Sequence, residues 1–176
     1  MAEYEEIALS VVDLRAVTAW TLASAERVLP LFEAKAPDDI RPREAIEGAR
    51  EFVREGRRTA RMRSLAWAGF AAAREVGDPA AAAAARAAHV AVAAPYLHPL
   101  ATPHQSKHIL GAAVYQVLAR ELSAGSDTGV AEVEIRWALD RATATVVDVL
   151  RRFPPRGPGR TRQERLYHRL DAALRG

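Results

Sequence analysis

Residues 78–94 read Asp78-Pro79, then alanine at every position from 80 to 85, then Arg86-Ala87-Ala88-His89-Val90-Ala91-Val92-Ala93-Ala94. Asp78 carries an acceptor suited to capping a helix, proline has its φ preset for a first helical position, and alanine has the highest helix propensity. The segment therefore predicts a helix from Pro79 through about Ala94. Apart from Arg86 and His89 it is apolar all round, and a helix of that kind is buried. Its thin side chains let neighbouring helices approach from several directions. On the surface it would leave a large apolar face in water, so it is expected at the centre of a helical bundle.

Helical signals continue on both sides. Asp13 can cap a helix over about Leu14–Lys35, with Pro30 inside it removing one backbone donor and expected to kink it. Pro42 opens a second helix, Arg43 to Arg54, that Gly56 ends. Thr59 caps a third, stopped at Gly77. Beyond a loop punctuated by Pro95, Pro99 and Pro103, a helix runs from about His104 to Ser123, and after the turn Gly125–Gly129 one long helix spans Val130 to Arg152. Pro154 to Gly159 reads as a flexible linker, and Thr161 starts a final helix to Leu174. No segment alternates at period two, so no sheet is expected. The expected fold is all-α: a single-domain bundle of about six to seven helices around the Ala-rich one, with 1–153 the bundle, 154–160 a Pro/Gly linker and 161–176 a basic C-terminal helix.

The 176 residues include 38 alanines and no cysteine. Zero cysteine excludes disulfides, thiolate metal sites, iron–sulfur clusters and a cysteine nucleophile. Hydrophobic content of 49% with 27% charged residues is globular. The acidic start lacks the basic and apolar regions of a signal peptide, and no stretch reaches the roughly 20 strongly apolar residues of a membrane span. The expected location is the cytoplasm. Basic residues number 25, of which only Lys35 and Lys107 are lysine. With the alanine excess this reads as GC-rich codon usage, which weakens arginine abundance as a sign of nucleic-acid binding. Residues 151–176 hold eight arginines against Glu164 and Asp171, a local balance of +6, leaving residues 1–150 at −3. Such a segment either seeks phosphate or an acidic partner, or forms a solvated terminal helix.

Two places can carry chemistry. A guanidinium on a buried alanine helix must be paired, because an uncompensated buried charge costs several kcal/mol. Arg86 is thus expected either to tie helices together through a carboxylate, with Glu33 among the candidates, or to line a cavity and clamp an anion. The second place is His104-Gln105-Ser106-Lys107-His108-Ile109-Leu110-Gly111-Ala112-Ala113-Val114-Tyr115. At 100° per residue His104, His108, Gly111, Tyr115, Leu118 and Leu122 share a side expected to face the interior. Two histidines at i and i+4 can share a metal, but the glutamate of HExxH is missing and no further ligands are identifiable, so neither a metal nor any other cofactor is expected. His104, His108 and Tyr115 could form an acid–base group, which His89 could join. Phosphate-loop, dinucleotide and nucleophile-elbow motifs are absent. The basic run from Arg54 to Arg63, with Trp67 and Trp137, offers anchors for a protein partner.

Glu26-Arg27-Val28-Leu29-Pro30-Leu31-Phe32-Glu33 and Pro37-Asp38-Asp39-Ile40-Arg41-Pro42-Arg43-Glu44-Ala45-Ile46-Glu47 resemble the opening of a family of small bacterial helical proteins known as putative immunity proteins, whose members are often mislabelled as the large subunit of a recombination exonuclease. Ala84 to His89 and His104 to Tyr115 resemble its later segments, so the resemblance covers about residues 12–120. The Pro-rich stretch Pro95 to Pro103 and the basic tail depart from the pattern. The resemblance implies an all-helical fold and a role in protecting the producing cell, and carries no catalytic residues. The expected function is binding and neutralising a toxin or toxic metabolite without catalysis. The alternative is a small-molecule binder or enzyme of specialised metabolism using a His/Tyr/Arg-lined pocket. Candidate ligand-binding residues are Arg86, His89, His104, His108, Tyr115 and Glu33. The expected partner is a toxin protein or a small-molecule ligand, with neither nucleic acid nor membrane expected and the chain a monomer or homodimer.

Overall fold

A computed structural model describes residues 5–176. These form eight α-helices: α1 (Val11–Glu33), α2 (Arg41–Glu55), α3 (Ala60–Glu75), α4 (Pro79–Ala93), α5 (Lys107–Ser123), α6 (Thr128–Arg141), α7 (Ala144–Arg151) and α8 (Arg162–Arg175). Short 3-10 turns lie at Ala94–Tyr96 and Pro103–Ser106. Among the described residues there is no strand, only one isolated antiparallel bridge between Glu6 and Leu100. The fold is all-helical, as read from the sequence, with one or two helices more than expected.

The alanine helix is the axle. α4 packs against α1, α2, α3 and α5, and Ala81, Ala84, Ala85, Ala87, Ala88, Ala91 and Val92 are completely buried. Its start is as read: the Asp78 carboxylate accepts from the Ala81 backbone N–H at 2.9 Å, with Pro79 in the first turn. Large side chains from the surrounding helices fill the space that alanine leaves, among them Phe32, Ile46, Phe52, Ile109 and Leu110.

Three helix boundaries depart from the sequence reading. α1 begins earlier because Ser10, not Asp13, is its cap: the Ser10 hydroxyl accepts from Asp13 N–H, while the Asp13 carboxylate accepts from Ser10 N–H, a reciprocal capping box. The helix expected from His104 begins at Lys107, preceded by the 3-10 turn that carries His104. The single helix expected over Val130–Arg152 is broken. Ala142 is extended, and the Thr143 hydroxyl accepts from Val146 N–H to start α7 afresh. At the end of α6 the buried Trp20 indole donates to the Ala138 carbonyl at 2.9 Å, fixing where that helix stops against α1.

The basic C-terminal segment is packed rather than solvated. Leu166 and Leu170 are fully buried and Tyr167 and Leu174 nearly so, with α8 lying on α5, α6 and α7. Its charges meet carboxylates of the body: Arg162 pairs with Glu121 at 2.7 Å and Arg169 with Glu132. The acidic partner that a +6 segment seeks is supplied by the rest of the same chain. No helix among the described residues is long and apolar enough to cross a membrane.

Candidate functional site

Arg86, His89, Val90 and Ala93 stand at i, i+3, i+4 and i+7 on α4, so they form one stripe along the helix. That stripe is the part of α4 its neighbours leave half-uncovered. Beside it lie Phe70 of α3, Lys107, His108 and Tyr115 of α5, His104 of the preceding turn and Tyr167 of α8. Together these ten side chains line an open cleft of about 250 Å³. Five of the six residues singled out from the sequence therefore converge: Arg86, His89, His104, His108 and Tyr115. Glu33 does not. It sits at the end of α1 in an ion pair with Arg43 at 2.5 Å.

Arg86 is neither fully buried nor tied to a carboxylate. Among the described residues it has no ion pair; instead its guanidinium stacks 5.1 Å from the centre of the Phe70 ring and 6.0 Å from that of Tyr115. The expected interhelical tie is absent because α4 turns Arg86 to the rim, where the edge of the guanidinium reaches solvent and escapes the desolvation cost that would have demanded a partner. Cation–π attraction to the two rings keeps the guanidinium at the cleft and leaves its N–H groups available for a bidentate contact.

The α5 stripe is also less interior than expected. Of that side only Gly111 is buried; His104 and Leu122 are exposed and His108, Tyr115 and Leu118 half-buried, whereas the core face of α5 is Ile109, Leu110, Ala113, Val114 and Val117. Two leucines were a poor guide, because residues at the edge of a bundle are apolar too. Gly111 makes room for two neighbouring side chains: a Cβ there would lie 3.0 Å from the Tyr167 hydroxyl and 3.1 Å from Val90.

The imidazoles are held in distinct states. His89 Nδ1 lies 2.7 Å from the Ala66 carbonyl. A carbonyl can only accept, so Nδ1 carries the proton and a neutral His89 keeps its Nε2 lone pair for the cleft. Burial lowers the pKa of His89, and the neighbouring Arg86 adds to this against the opposing hydrogen bond. For His108 burial, reinforced by the positive fields of His98, His104, His89 and Lys107, pulls the pKa down to about 4. The Tyr115 hydroxyl accepts from Gln163 Nε2 at 3.0 Å, which leaves its own proton to donate, and burial raises the pKa of Tyr167. At neutral pH the cleft thus holds the Arg86 and Lys107 cations and the neutral imidazoles of His89 and His108, and among the described residues no carboxylate lines it. No cluster among the described residues gathers three metal-ligating side chains.

Stability should record the His108 environment. Above pH 6.5 the imidazole is neutral in folded and unfolded chains alike. Between 6.5 and about 4 only the unfolded chain takes up the proton, so stability falls as pH falls, by about 3 kcal/mol in all. Urea unfolding at pH 7 and pH 5 measures this. His108→Gln is expected to flatten the slope, and an unchanged slope would remove the buried neutral imidazole from the account.

Phe70, Lys107 and Tyr167 escaped the sequence reading as site residues. Phe70 follows Trp67 by one helical turn and stacks edge-on against it at 6.2 Å, a pairing that spacing could have suggested. Nothing in the local sequence brings Tyr167 to α5. Of the proposed protein anchors, Trp67 is 71% exposed, while Trp137 is clasped between Arg27 and Arg141, 4.4 and 4.0 Å from its ring centre. The basic run is largely engaged within the chain: Arg61 pairs with Glu51, Arg57 with Glu55, and Arg58 donates to the Pro95 carbonyl.

No curated protein and no solved structure matches the chain. A family model described as "Imm-5 like putative immunity protein" matches residues 8–145. Every residue lining the cleft except Tyr167 falls within that span.

Proposed function

Because the chain belongs to the Imm-5 like putative immunity protein family, we propose that it protects the cell that makes it by binding a toxin stoichiometrically, without turnover, and that the Arg86 cleft holds part of that toxin. The observation that carries this reading is the Arg86 guanidinium itself: held against Phe70 and Tyr115, half-buried at the rim of the cleft and without an ion-pair partner among the described residues. A preoriented cation on a rigid helix loses little entropy when an anionic group arrives. The exposed Trp67, joined to the cleft through Phe70, extends the contact surface for a protein toxin.

A second reading, a small-molecule binder or enzyme of specialised metabolism, is favoured by the same convergence of His89, His104, His108 and Tyr115. His89 Nε2 could accept a proton and Tyr115 could donate one. Titration calorimetry against the product of a toxin gene encoded beside this one separates the readings. Under immunity, Arg86→Ala weakens the complex by roughly ten- to a hundredfold, the loss of one or two charge-assisted hydrogen bonds, while His108→Ala leaves it nearly intact. Under catalysis His108→Ala abolishes turnover. Undiminished toxin affinity in a helical, folded Arg86→Ala protein would refute the placement of the toxin in this cleft.

A further inference from the structure

A second depression, of about 180 Å³, adjoins the Arg86 cleft and is lined by Pro103, His104, Lys107, Arg156 and Gly157. The two share His104 and Lys107. Arg86, Lys107 and Arg156 thus border two adjoining depressions, from α4, from the start of α5 and from the segment before α8, and among the described residues no aspartate or glutamate lines either. None of the three cations has a carboxylate partner among the described residues, although Arg27, Arg43, Arg152, Arg162 and Arg175 elsewhere in the chain each do. Arg156 is held as Arg86 is, stacked 4.5 Å from the centre of the Tyr167 ring, with Nη1 donating to the Pro103 carbonyl at 3.2 Å.

The first turn of α5 sharpens the imbalance. A helix start carries partial positive charge and favours acidic side chains; this one has none, and Lys107 and His108 stand there with His104 just before them. The Lys107 cation and the positive helix end repel each other unless an anion sits between them, and the neutral His108 imidazole beside them does not relieve that charge. The walls on the Arg86 side are apolar and aromatic: Phe70, Val90, Ala93 and Tyr115.

We propose that this joined hollow binds a small organic phosphate, with the phosphate where the two depressions meet, at His104 and Lys107 between Arg86 and Arg156, and a planar or apolar body against Phe70, Val90 and Ala93. Cations arriving from three elements suit a tetrahedral group carrying nearly two charges better than a planar carboxylate carrying one. The two depressions together lie near the lower end of the ligand-pocket range, enough for a phosphate and roughly one ring. The inference rests on the Arg86 cleft being the ligand-holding face, and names the chemistry it holds.

Phenyl phosphate is the probe, compared with benzoate and phenol by thermal unfolding at pH 7 and matched ionic strength. Phenyl phosphate is expected to raise the melting temperature, benzoate much less and phenol not at all. It is also expected to shift the ring-proton resonances of His104 and His108. Arg86→Gln and Lys107→Gln should each weaken the apparent affinity by roughly tenfold or more; Lys107 is exposed, so its variant folds even if that of Arg86 does not. No stabilisation by phenyl phosphate up to roughly 10 mM, where even a millimolar site is mostly filled, overturns the inference, as does equal stabilisation by benzoate or an undiminished effect in both variants. The toxin titration with Arg86→Ala then tells what failed. If that variant still loses toxin, the cleft stands and only the ligand class falls; if it does not, both fall.

Discussion

Ala88→Leu is expected to lower the stability of this protein by about 3 kcal/mol, the upper end of what overpacking costs, and its melting temperature by roughly 6 to 12 °C at this chain length. Ala88 is completely buried on α4, and four helices crowd that axle. Three added carbons have no void to enter, so a whole helix must shift or the leucine must leave its rotamer. Ala82→Leu is the control. Its position on the same helix is half-buried, and the larger side chain can lie along the surface at a cost below about 1 kcal/mol. Chemical denaturation of the two variants beside the parent checks the comparison. Equal losses at 82 and 88, or a negligible loss at 88, would mean that α4 is not the close-packed centre on which the cleft is mounted.

The other large effect lies away from the cleft. Glu134 is only 2% exposed and receives a bidentate contact from Arg27, at 2.7 and 2.9 Å, with the Gln116 amide at 2.7 Å and Arg120 at 3.4 Å. Burial pushes its pKa up, but hydrogen bonds from Arg27 and Gln116 and the charges of Arg27 and Arg120 outweigh this and hold it below the ordinary glutamate value. Removing one member of such a pair strands the others. Glu134→Ala is expected to cost about 3 kcal/mol, at the low end of the range because Arg27 can still turn towards water. Replacing Arg27 by Met and Glu134 by Leu together should recover much of that loss, since the desolvation of both charges disappears with them. A double-mutant cycle reads the coupling, and strictly additive losses would show that the network is not a unit. The linkage has the opposite range from that of His108. A carboxylate with a lowered folded pKa contributes its stability above its unfolded pKa of 4.5, and loses it as pH falls through the folded value. Acid titration should therefore show the histidine slope first, between 6.5 and 4.5, and the Glu134 loss only below that.

Glu134 was passed over in the sequence for a physical reason. Glu132 and Glu134 stand two apart and so diverge on the helix, and nothing local marks which of them turns inward. The structure sends Glu132 out to Arg169 and Glu134 in to Arg27. Arg86 shows the converse. Its place on an apolar helix was legible, but the sequence suggested a buried charge in need of a partner, whereas α4 rotates it to the rim. Glu33, one of several candidate partners for it, belongs instead to Arg43, because that pairing depends on how α1 and α2 meet. The break between α6 and α7 escaped notice because the apolar period runs through it. Thr143 can cap a helix, but a threonine inside a periodic stretch interrupts it only when neighbouring helices demand a turn there.

Sequence by itself determined the elements and the axle: alanine, with no side chain to satisfy, reads as helix and as interior wherever it occurs in such a run, and Asp78, Thr59 and Thr161 mark helix starts through bonds to residues three positions away. Those are local effects, complete within a few residues of chain. Only the tertiary structure decided which charges are paired, that the basic final helix closes the bundle, and that Tyr167 and Phe70 meet Arg86 and the histidines in one cleft. Such contacts join residues far apart in the chain, and their energies depend on distances and exposure that exist only once the helices are packed.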